Sequence, residues 1–419
     1  MPRIGSRRSP GAMSSDGAFL AAAWAIGRQI VDDAVWHRGR CTWMGATTDP
    51  KHPWRLKYRA LGPRAYEGTA GVGLFLAQLA VVTGDASARR AAEGALRHAL
   101  EHAPSLPAAD RDGLYAGVVG VALAAGRVSA WLDEPELEAG ARALIAHAAL
   151  PDGPRRCPDV MMGSAGAIIG LVAVAEAFDD RSLLRRAVLA GDELLGRATV
   201  TRHGWSWAIP GRRSPHHVCG LAHGAGGIGW ALLELFAATG DERFRDGAAG
   251  AFAYERSWLD PASGTWPDLR VPGLRRGRPQ PDRSATTGTW CRGEAGIAQT
   301  RRRAVALGAS NAERRDAVFA LETTRRHVAD LLGQEIDDLS LCHGAAGAAD
   351  VLLTTGEESP QAVALGERVL DRYGDGGEPW PCGVPGGVTP GLFLGLSGIG
   401  WWLLRLQEDQ IASPLETWG

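Results

Sequence analysis

A short glycine motif recurs along the whole chain and constrains the fold more than any other feature of the sequence. The motif is Gly-x-x-Gly, and its seven copies lie roughly 45 to 70 residues apart. The copies are Gly68/Gly71, Gly117/Gly120, Gly163/Gly166, Gly224/Gly227, Gly293/Gly296, Gly344/Gly347 and Gly395/Gly398. A unit that repeats at such spacing predicts a solenoid or a closed ring of similar supersecondary elements.

Each repeat predicts one buried helix and one exposed helix. Most copies begin an almost wholly apolar stretch, such as GVGLFLAQLAVV from Gly71 and GIGWALLELFAA from Gly227. A helix that is apolar on all faces must be buried. Several stretches end in Thr-Gly-Asp or Thr-Gly-Glu, which ends one helix and begins another. The following stretches, such as the one from Ala86, are amphipathic and charged. We therefore predict an all-α fold of about fourteen helices, an (α/α)7 double helical toroid.

An open α-solenoid is the alternative architecture, because it also stacks paired helices. Its terminal repeats need a polar outer face, whereas the last repeat here, GLSGIGWWLLRL from Gly395, is as apolar as the first. The glycine pairs also permit close backbone approach, which the crowded end of a ring requires. These features favour closure.

Charge and composition exclude several classes of protein. The 45 Lys and Arg residues against 47 Asp and Glu residues give a net charge of -2, which provides no basic field for nucleic acid or an anionic membrane. No run of about 20 apolar residues predicts a membrane span. The six cysteines are too scattered for a disulfide framework. We expect a soluble, cytoplasmic protein, with residues 1–15 as a disordered tail and residues 16–419 as a single toroid domain.

Polar and sulfur-bearing residues share one position relative to the motif in repeats three to six. Cys291 and Cys342 lie two residues before the first glycine, His223, Arg292 and His343 lie one residue before it, and Asp159 lies four residues before Gly163. Equivalent positions in a ring of repeats face the same end. We therefore expect these side chains to meet at one mouth of the toroid.

Two cysteines and a histidine form the soft ligand set that Zn²⁺ prefers, and catalytic zinc sites keep three protein ligands and an open position. Cys291, Cys342 and His343 are the predicted ligands. His223 is either a fourth ligand or an acid/base group, and we favour the second role because a conjugate addition needs a proton donor near neutral pH. Asp159 either orients a histidine or takes a thiol proton, or its charge favours the start of a helix.

The segments around these residues resemble the lanthionine synthetase C-like family, the LanC cyclases, over nearly the whole chain. The segments are PDVMMGSAGAIIGL, GLAHGAGGIGWALLEL, TWCRGEAGIA and LCHGAAGAADVLL. The resemblance implies a double helical toroid, zinc on Cys291, Cys342 and His343, and acid/base roles for His223 and Asp159.

The chain departs from the family at Arg292, where relatives usually have Tyr or His. A permanently charged guanidinium cannot act as a general acid, but it can stabilise an enolate. Some relatives also have an arginine shortly before the first zinc cysteine, and the nearest one here is Arg283, eight residues before Cys291.

The resemblance implies a cyclase that adds peptide cysteine thiols to dehydroalanine or dehydrobutyrine. The substrate is then a dehydrated precursor peptide. The opening of the chain is similar to the cyclase portion of fused synthetases, yet the sequence has no room for a dehydratase or kinase. We therefore expect a separate dehydratase or kinase/lyase that acts in trans.

Three other functions fit parts of the pattern. A carbohydrate-processing toroid would use paired carboxylates, for which Glu67, Glu294 and Asp159 are the candidates at the mouth. A zinc-binding scaffold without catalysis would hold a peptide or a partner enzyme. A third possibility is an enzyme that adds glutathione or another small thiol to a dehydrated residue.

Overall fold

The computed structural model describes residues 17–49, 52–107, 112–147, 157–211, 216–260, 263–270, 288–356 and 359–416. The predicted tail, residues 1–15, lies outside these ranges. The described residues contain fourteen α-helices: α1 (Ala18–Asp32), α2 (Thr69–Thr83), α3 (Ala86–His102), α4 (Val118–Leu132), α5 (Pro135–His147), α6 (Ser164–Ala177), α7 (Ser182–Arg197), α8 (Ala225–Thr239), α9 (Glu242–Arg256), α10 (Glu294–Ala306), α11 (Asn311–Leu331), α12 (Ala345–Leu353), α13 (Pro360–Tyr373) and α14 (Leu396–Gln407). The prediction of an all-α fold is confirmed.

Seven inner helices form a closed ring. Each even-numbered helix begins directly after the first glycine of one motif copy, so the motif marks the same end of every inner helix. Consecutive inner helices contact each other around the ring, and α14 contacts α2. The last contact closes the toroid, so the alternative architecture of an open solenoid is wrong.

Six outer helices, α3, α5, α7, α9, α11 and α13, pack against the inner helices that precede them. The seventh outer helix is α1, which packs against α14 although the two lie at opposite ends of the chain. Gly17 N donates to the Gln407 side-chain oxygen at 3.1 Å where the two helices meet. The repeat predicts the number of outer helices but places none of them before the first copy.

A circle of seven backbone hydrogen bonds runs around the mouth where the inner helices begin. It joins the segments that precede the motif: Tyr66 N to Tyr115 O (3.0 Å), Ala116 N to Met161 O (3.1 Å), Val160 N to Ala222 O (3.2 Å), Ala222 N to Cys291 O (2.9 Å), Cys291 N to Cys342 O (3.1 Å), Cys342 N to Phe393 O (3.0 Å) and Phe393 N to Tyr66 O (3.0 Å). Buried backbone groups must be paired, and here each repeat pairs with the next. The residues two before the first glycine therefore lie side by side.

The second glycine of the motif is required by a close backbone approach. A Cβ at Gly227 would lie 1.9 Å from the Leu221 carbonyl oxygen, and a Cβ at Gly296 would lie 1.9 Å from the Trp290 carbonyl oxygen. The same contact with the carbonyl six residues earlier occurs at Gly71, Gly166, Gly347 and Gly398. The loop before each inner helix therefore passes directly over its first turn, and only glycine leaves space for it.

The Thr-Gly-Asp segments form the predicted helix boundaries. Gly84 ends α2 in the left-handed conformation with φ of 71°, and the Asp85 side chain accepts hydrogen bonds from Ser87 N and Ala88 N at the start of α3. Gly240 and Asp241 form the same boundary between α8 and α9. These two short links join α2 to α3 and α8 to α9.

The described residues also form three antiparallel hairpins, which the repeat does not predict. They pair β1 (Val35–His37) with β2 (Arg40–Thr42), β3 (Met44–Asp49) with β4 (His52–Ala60), and β5 (Thr199–Thr201) with β6 (Gly204–Ser206). The second hairpin lies beside the mouth, because Ala46 N donates to Val388 O at 3.1 Å. No helix in the described ranges combines the length and the apolar content needed to cross a membrane.

Candidate active site

The three predicted zinc ligands lie together at the mouth of the toroid. The possible ligand atoms of Cys291, Cys342 and His343 all lie within 4.8 Å of one another. Both cysteines belong to the circle of backbone hydrogen bonds, which places the two sulfur atoms on adjacent repeats. His223 lies outside this cluster, and the other candidate residues of the described chain add no fourth ligand.

The imidazole of His343 is held by two oxygen atoms. Its Nε2 lies 3.3 Å from the Gly383 carbonyl oxygen and 3.4 Å from Asp338 Oδ2. Ligating histidines usually donate their second ring N–H to a carbonyl or a carboxylate, which fixes the tautomer. With Nε2 occupied in this way, Nδ1 is the nitrogen left to bind a metal.

The two cysteines of the cluster are electrostatically unequal. A hydrogen bond from Cys342 holds the pKa of Cys291 below its usual value although Cys291 is buried, and Thr289 and the Arg270 guanidinium act in the same direction. The same bond and burial raise the pKa of Cys342. The Tyr66 hydroxyl hydrogen-bonds to Cys342 and opposes that rise. The shared hydrogen bond therefore makes Cys291 the more acidic thiol of the pair.

Three of the remaining thiols are not activated. Burial raises the pKa of Cys41 and of Cys157 to about 12, and the pKa of Cys382 to about 11. Cys219 is buried near the mouth, and all six cysteines are free of disulfides. Cys291, whose pKa is lowered, therefore differs chemically from these three cysteines.

Asp159 and His223 form a hydrogen-bonded pair at the same mouth. His223 Nδ1 lies 2.6 Å from Asp159 Oδ2, and the second carboxylate oxygen of Asp159 accepts a hydrogen bond from Met162 N at 2.9 Å. The Asp159 side chain is fully buried, whereas 39% of the His223 side chain is exposed. The carboxylate therefore fixes the ring through Nδ1, while part of the His223 side chain stays exposed.

Two arginines meet one carboxylate beside His223. Arg292 Nη1 lies 3.8 Å from Asp268 Oδ2, and Arg270 Nε lies 2.7 Å from Asp268 Oδ1. A small cavity of about 20 Å³ lies between these arginines, His223 and Cys219. Arg292 Nε is buried and has no hydrogen-bond partner among the described residues. Positive charge therefore accumulates next to the cluster and the histidine.

The carboxylates proposed for a carbohydrate-processing toroid are already engaged. Glu294 is buried and accepts hydrogen bonds from Trp266 N at 3.1 Å and from Gly288 N at 2.9 Å. Glu67 forms an ion pair with Arg59 at 2.8 Å. Glu294 thus bonds to Trp266 and Gly288, which come before and after Arg270 in the chain.

The alignment of the repeats predicts most of the residues at this site, but it does not identify all of them. Tyr66 lies at the position equivalent to Cys291 and Cys342 in repeat one, so the same alignment could have identified it. Arg270 and Asp268 lie in an irregular segment and carry no comparable signal. Arg283 lies outside the described residues.

The family model and one solved structure agree with this architecture. The family model for "Lanthionine synthetase C-like protein" matches residues 59–417. The structure titled "Nisin cyclase" is similar with a TM-score of 0.61 at 17% identity, over 83% of this chain and 89% of that chain, which shows a common fold. The GH76A α-1,6-mannanase from Salegentibacter sp. HEL1_6 is 13% identical with a TM-score of 0.48 over 93% of this chain and 98% of that one. No curated protein matches the sequence significantly.

Proposed function

The chain belongs to the lanthionine synthetase C-like family, and we propose that it is a zinc-dependent cyclase of dehydrated peptides. A cysteine thiol of the precursor peptide adds to a dehydroalanine or dehydrobutyrine of the same peptide. The S–H bond breaks, an S–C bond forms at the β-carbon, the C=C π bond is lost and a proton is added at the α-carbon. The product is a lanthionine or methyllanthionine thioether ring.

The observation that carries the proposal is the cluster of Cys291, Cys342 and His343 with ligand atoms within 4.8 Å. Two sulfurs and one imidazole nitrogen suit Zn²⁺, and three protein ligands leave a position for a substrate thiol. The hydrogen bond between His343 and the Gly383 carbonyl, with the Asp338 carboxylate close by, provides the orientation that a ligand needs. Bound there, Zn²⁺ lowers the pKa of a peptide thiol so that the thiolate is available at neutral pH.

His223 moves the proton in this proposal, and Asp159 positions it. Because Asp159 engages Nδ1, the Nε2 atom of His223 is the one that accepts a proton from the thiol and returns it to the α-carbon. Full burial of Asp159 fixes the carboxylate, which stabilises the imidazolium when it forms. Asp159 itself then takes no proton from the substrate.

Arg292 and Arg270 stabilise negative charge in this proposal. Addition of a thiolate to a dehydrated residue places charge on the carbonyl oxygen as an enolate. A guanidinium beside His223 offers fixed N–H donors to that oxygen. Asp268 holds both arginines, so neither needs to reorganise during the reaction.

The precursor peptide is the substrate, and a separate dehydratase or kinase/lyase supplies its dehydrated residues. The reaction also needs reduced thiols, which the cytoplasm maintains. The six free cysteines of the chain fit such a compartment. In this proposal the dehydrating partner acts in trans, on the same peptide and before the toroid does.

Metal content and thiol consumption test the proposal together. The wild-type protein is expected to hold about one zinc per chain and to consume thiols of a dehydrated cysteine-containing peptide. Cys342→Ala is expected to lose both. Cys41→Ala is the matched control, because Cys41 is equally buried but bonds only to Ala91 O, and this variant is expected to retain both. A wild-type protein without zinc contradicts the proposal.

The same assay separates the two remaining family-like functions. Zinc binding without thiol consumption by any dehydrated peptide would leave a metal-binding scaffold. Glutathione added to a dehydrated peptide that lacks cysteine tests for small-thiol addition. Faster consumption of glutathione than of the peptide's own thiols would replace cyclisation with intermolecular addition at the same site.

A further inference from the structure

A second cavity is lined by the later turns of several inner helices, away from the mouth. Its volume is about 410 Å³, and inner helices α4, α6, α8 and α10 contribute to its walls. Arg127 is the tenth residue of α4, so it lies about 15 Å along the helix from the mouth. The segment after α14 closes one side, where Gln299 Nε2 donates to Leu415 O at 2.5 Å and Ala412 lines the wall.

Three charged side chains of the lining lie at equivalent positions in their repeats. The residue ten positions after the first glycine is Arg127, Ala173, Glu234 and Arg303 in four consecutive repeats. Glu234 and Arg303 form a two-bond ion pair at 2.5 Å and 2.8 Å. Ala173, next to Arg127, offers no such partner. The third arginine of the lining, Arg302, lies 3.5 Å from Glu416.

Among the described residues, Arg127 is therefore the arginine of the lining that has no hydrogen-bonded or ion-paired partner. Its Nε atom is buried and donates to no acceptor, and the described chain forms no hydrogen bond or ion pair with its guanidinium. Burial lowers its pKa, and the nearby Glu176 opposes this effect without forming an ion pair. The Arg127 side chain lines the cavity, so a ligand that supplies an oxygen atom to its guanidinium provides an acceptor that the described chain does not.

The other walls restrict the class of ligand. Ile169, Val172, Ala173 and the ring of Trp230 offer apolar surface, and the volume lies in the range of small-molecule sites. Glu176, Glu234 and Glu416 also line the cavity and oppose a ligand with several negative charges. We propose that this cavity is a second ligand site, which binds a small monocarboxylate with an apolar body through Arg127.

Calorimetric titration of the full chain tests this site with 4-phenylbutyrate as the probe. The uncharged 4-phenylbutyramide has the same body without the charge, and we expect it to bind at least about tenfold more weakly, as the loss of one charge-assisted hydrogen bond implies. Arg127→Met keeps an apolar stem without the guanidinium and is expected to weaken 4-phenylbutyrate to the same extent. Arg292→Met removes a guanidinium at the mouth and is expected to leave binding unchanged.

A second variant keeps the proposal testable if Arg127→Met does not fold. Ala173→Leu narrows the cavity beside Arg127 and is expected to weaken binding of 4-phenylbutyrate by at least about tenfold. Absence of binding to the wild type, equal binding of the amide, or loss of binding in Arg292→Met alone would overturn the assignment. Tighter binding of inorganic phosphate than of 4-phenylbutyrate would also overturn it. None of these outcomes depends on zinc or on cyclase activity.

Discussion

His223 Nδ1 lies 2.6 Å from Asp159 Oδ2, although the two residues are 64 positions apart in the sequence and belong to different repeats. The buried carboxylate faces one ring nitrogen, and 39% of the His223 side chain is exposed. In the proposed mechanism, Asp159 positions the ring and His223 contacts the substrate.

Asp159→Asn is expected to lower kcat by about 10²- to 10⁴-fold, because an amide does not hold the His223 tautomer as a carboxylate does. Zinc content is expected to stay at the wild-type level. His223→Asn is expected to cause a similar loss, and the double variant to lose little more, since both changes disable one unit. Thiol consumption and metal content measure these effects. Full additivity of the two losses would contradict the pairing.

Glu294→Gln is expected to release the segment that carries Arg270. The carboxylate accepts hydrogen bonds from Trp266 N and Gly288 N, and an amide can accept only one of them well. We expect the exchange of both backbone amides with deuterated solvent to accelerate by at least about tenfold. Glu242→Gln, on the exposed face of α9, is the matched control and is expected to change neither rate. Unchanged exchange in Glu294→Gln would exclude this clamp.

Gly227→Ala is expected to destabilise the toroid by about 1–3 kcal/mol or more, because its Cβ would overlap the Leu221 carbonyl oxygen. Gly196→Ala is the matched control. Gly196 lies in α7, and a Cβ added there would meet no atom within 4 Å, so alanine is expected to stabilise by about 0.4–1 kcal/mol. Denaturant unfolding measures both values, and equal signs would refute the explanation of the motif.

Stability is expected to fall at acidic pH partly through His98. Burial, together with His102 and Arg40, lowers the pKa of His98 from 6.5 to about 4. The unfolded chain binds this proton first, so the contribution of neutral His98 is complete above about pH 6.5 and is lost as the pH falls toward 4. For a partly exposed ring the loss is about 1–2 kcal/mol. His98→Gln is expected to flatten this part of the pH profile of unfolding, and an unchanged profile would contradict the assignment.

The periodic part of the structure could be predicted because its causes are local. Close backbone approach at each second glycine and helix boundaries at Gly84 and Gly240 act within a few residues. The same periodicity gives Cys291 and Cys342 equivalent places in adjacent repeats, so their proximity follows from the sequence once the ring closes. Their predicted role as zinc ligands stays a prediction.

The sequence by itself therefore determined the number of inner helices, the end at which they begin and which residues share that end. Only the tertiary structure decided that α1 completes the outer ring, that Asp159 faces His223, that Arg270 reaches the site and that Arg127 has no partner among the described residues. These relationships join segments far apart in the chain through irregular loops and side-chain directions. No periodic signal encodes such contacts, because they depend on how the whole ring closes and on how each buried charge finds or fails to find a partner.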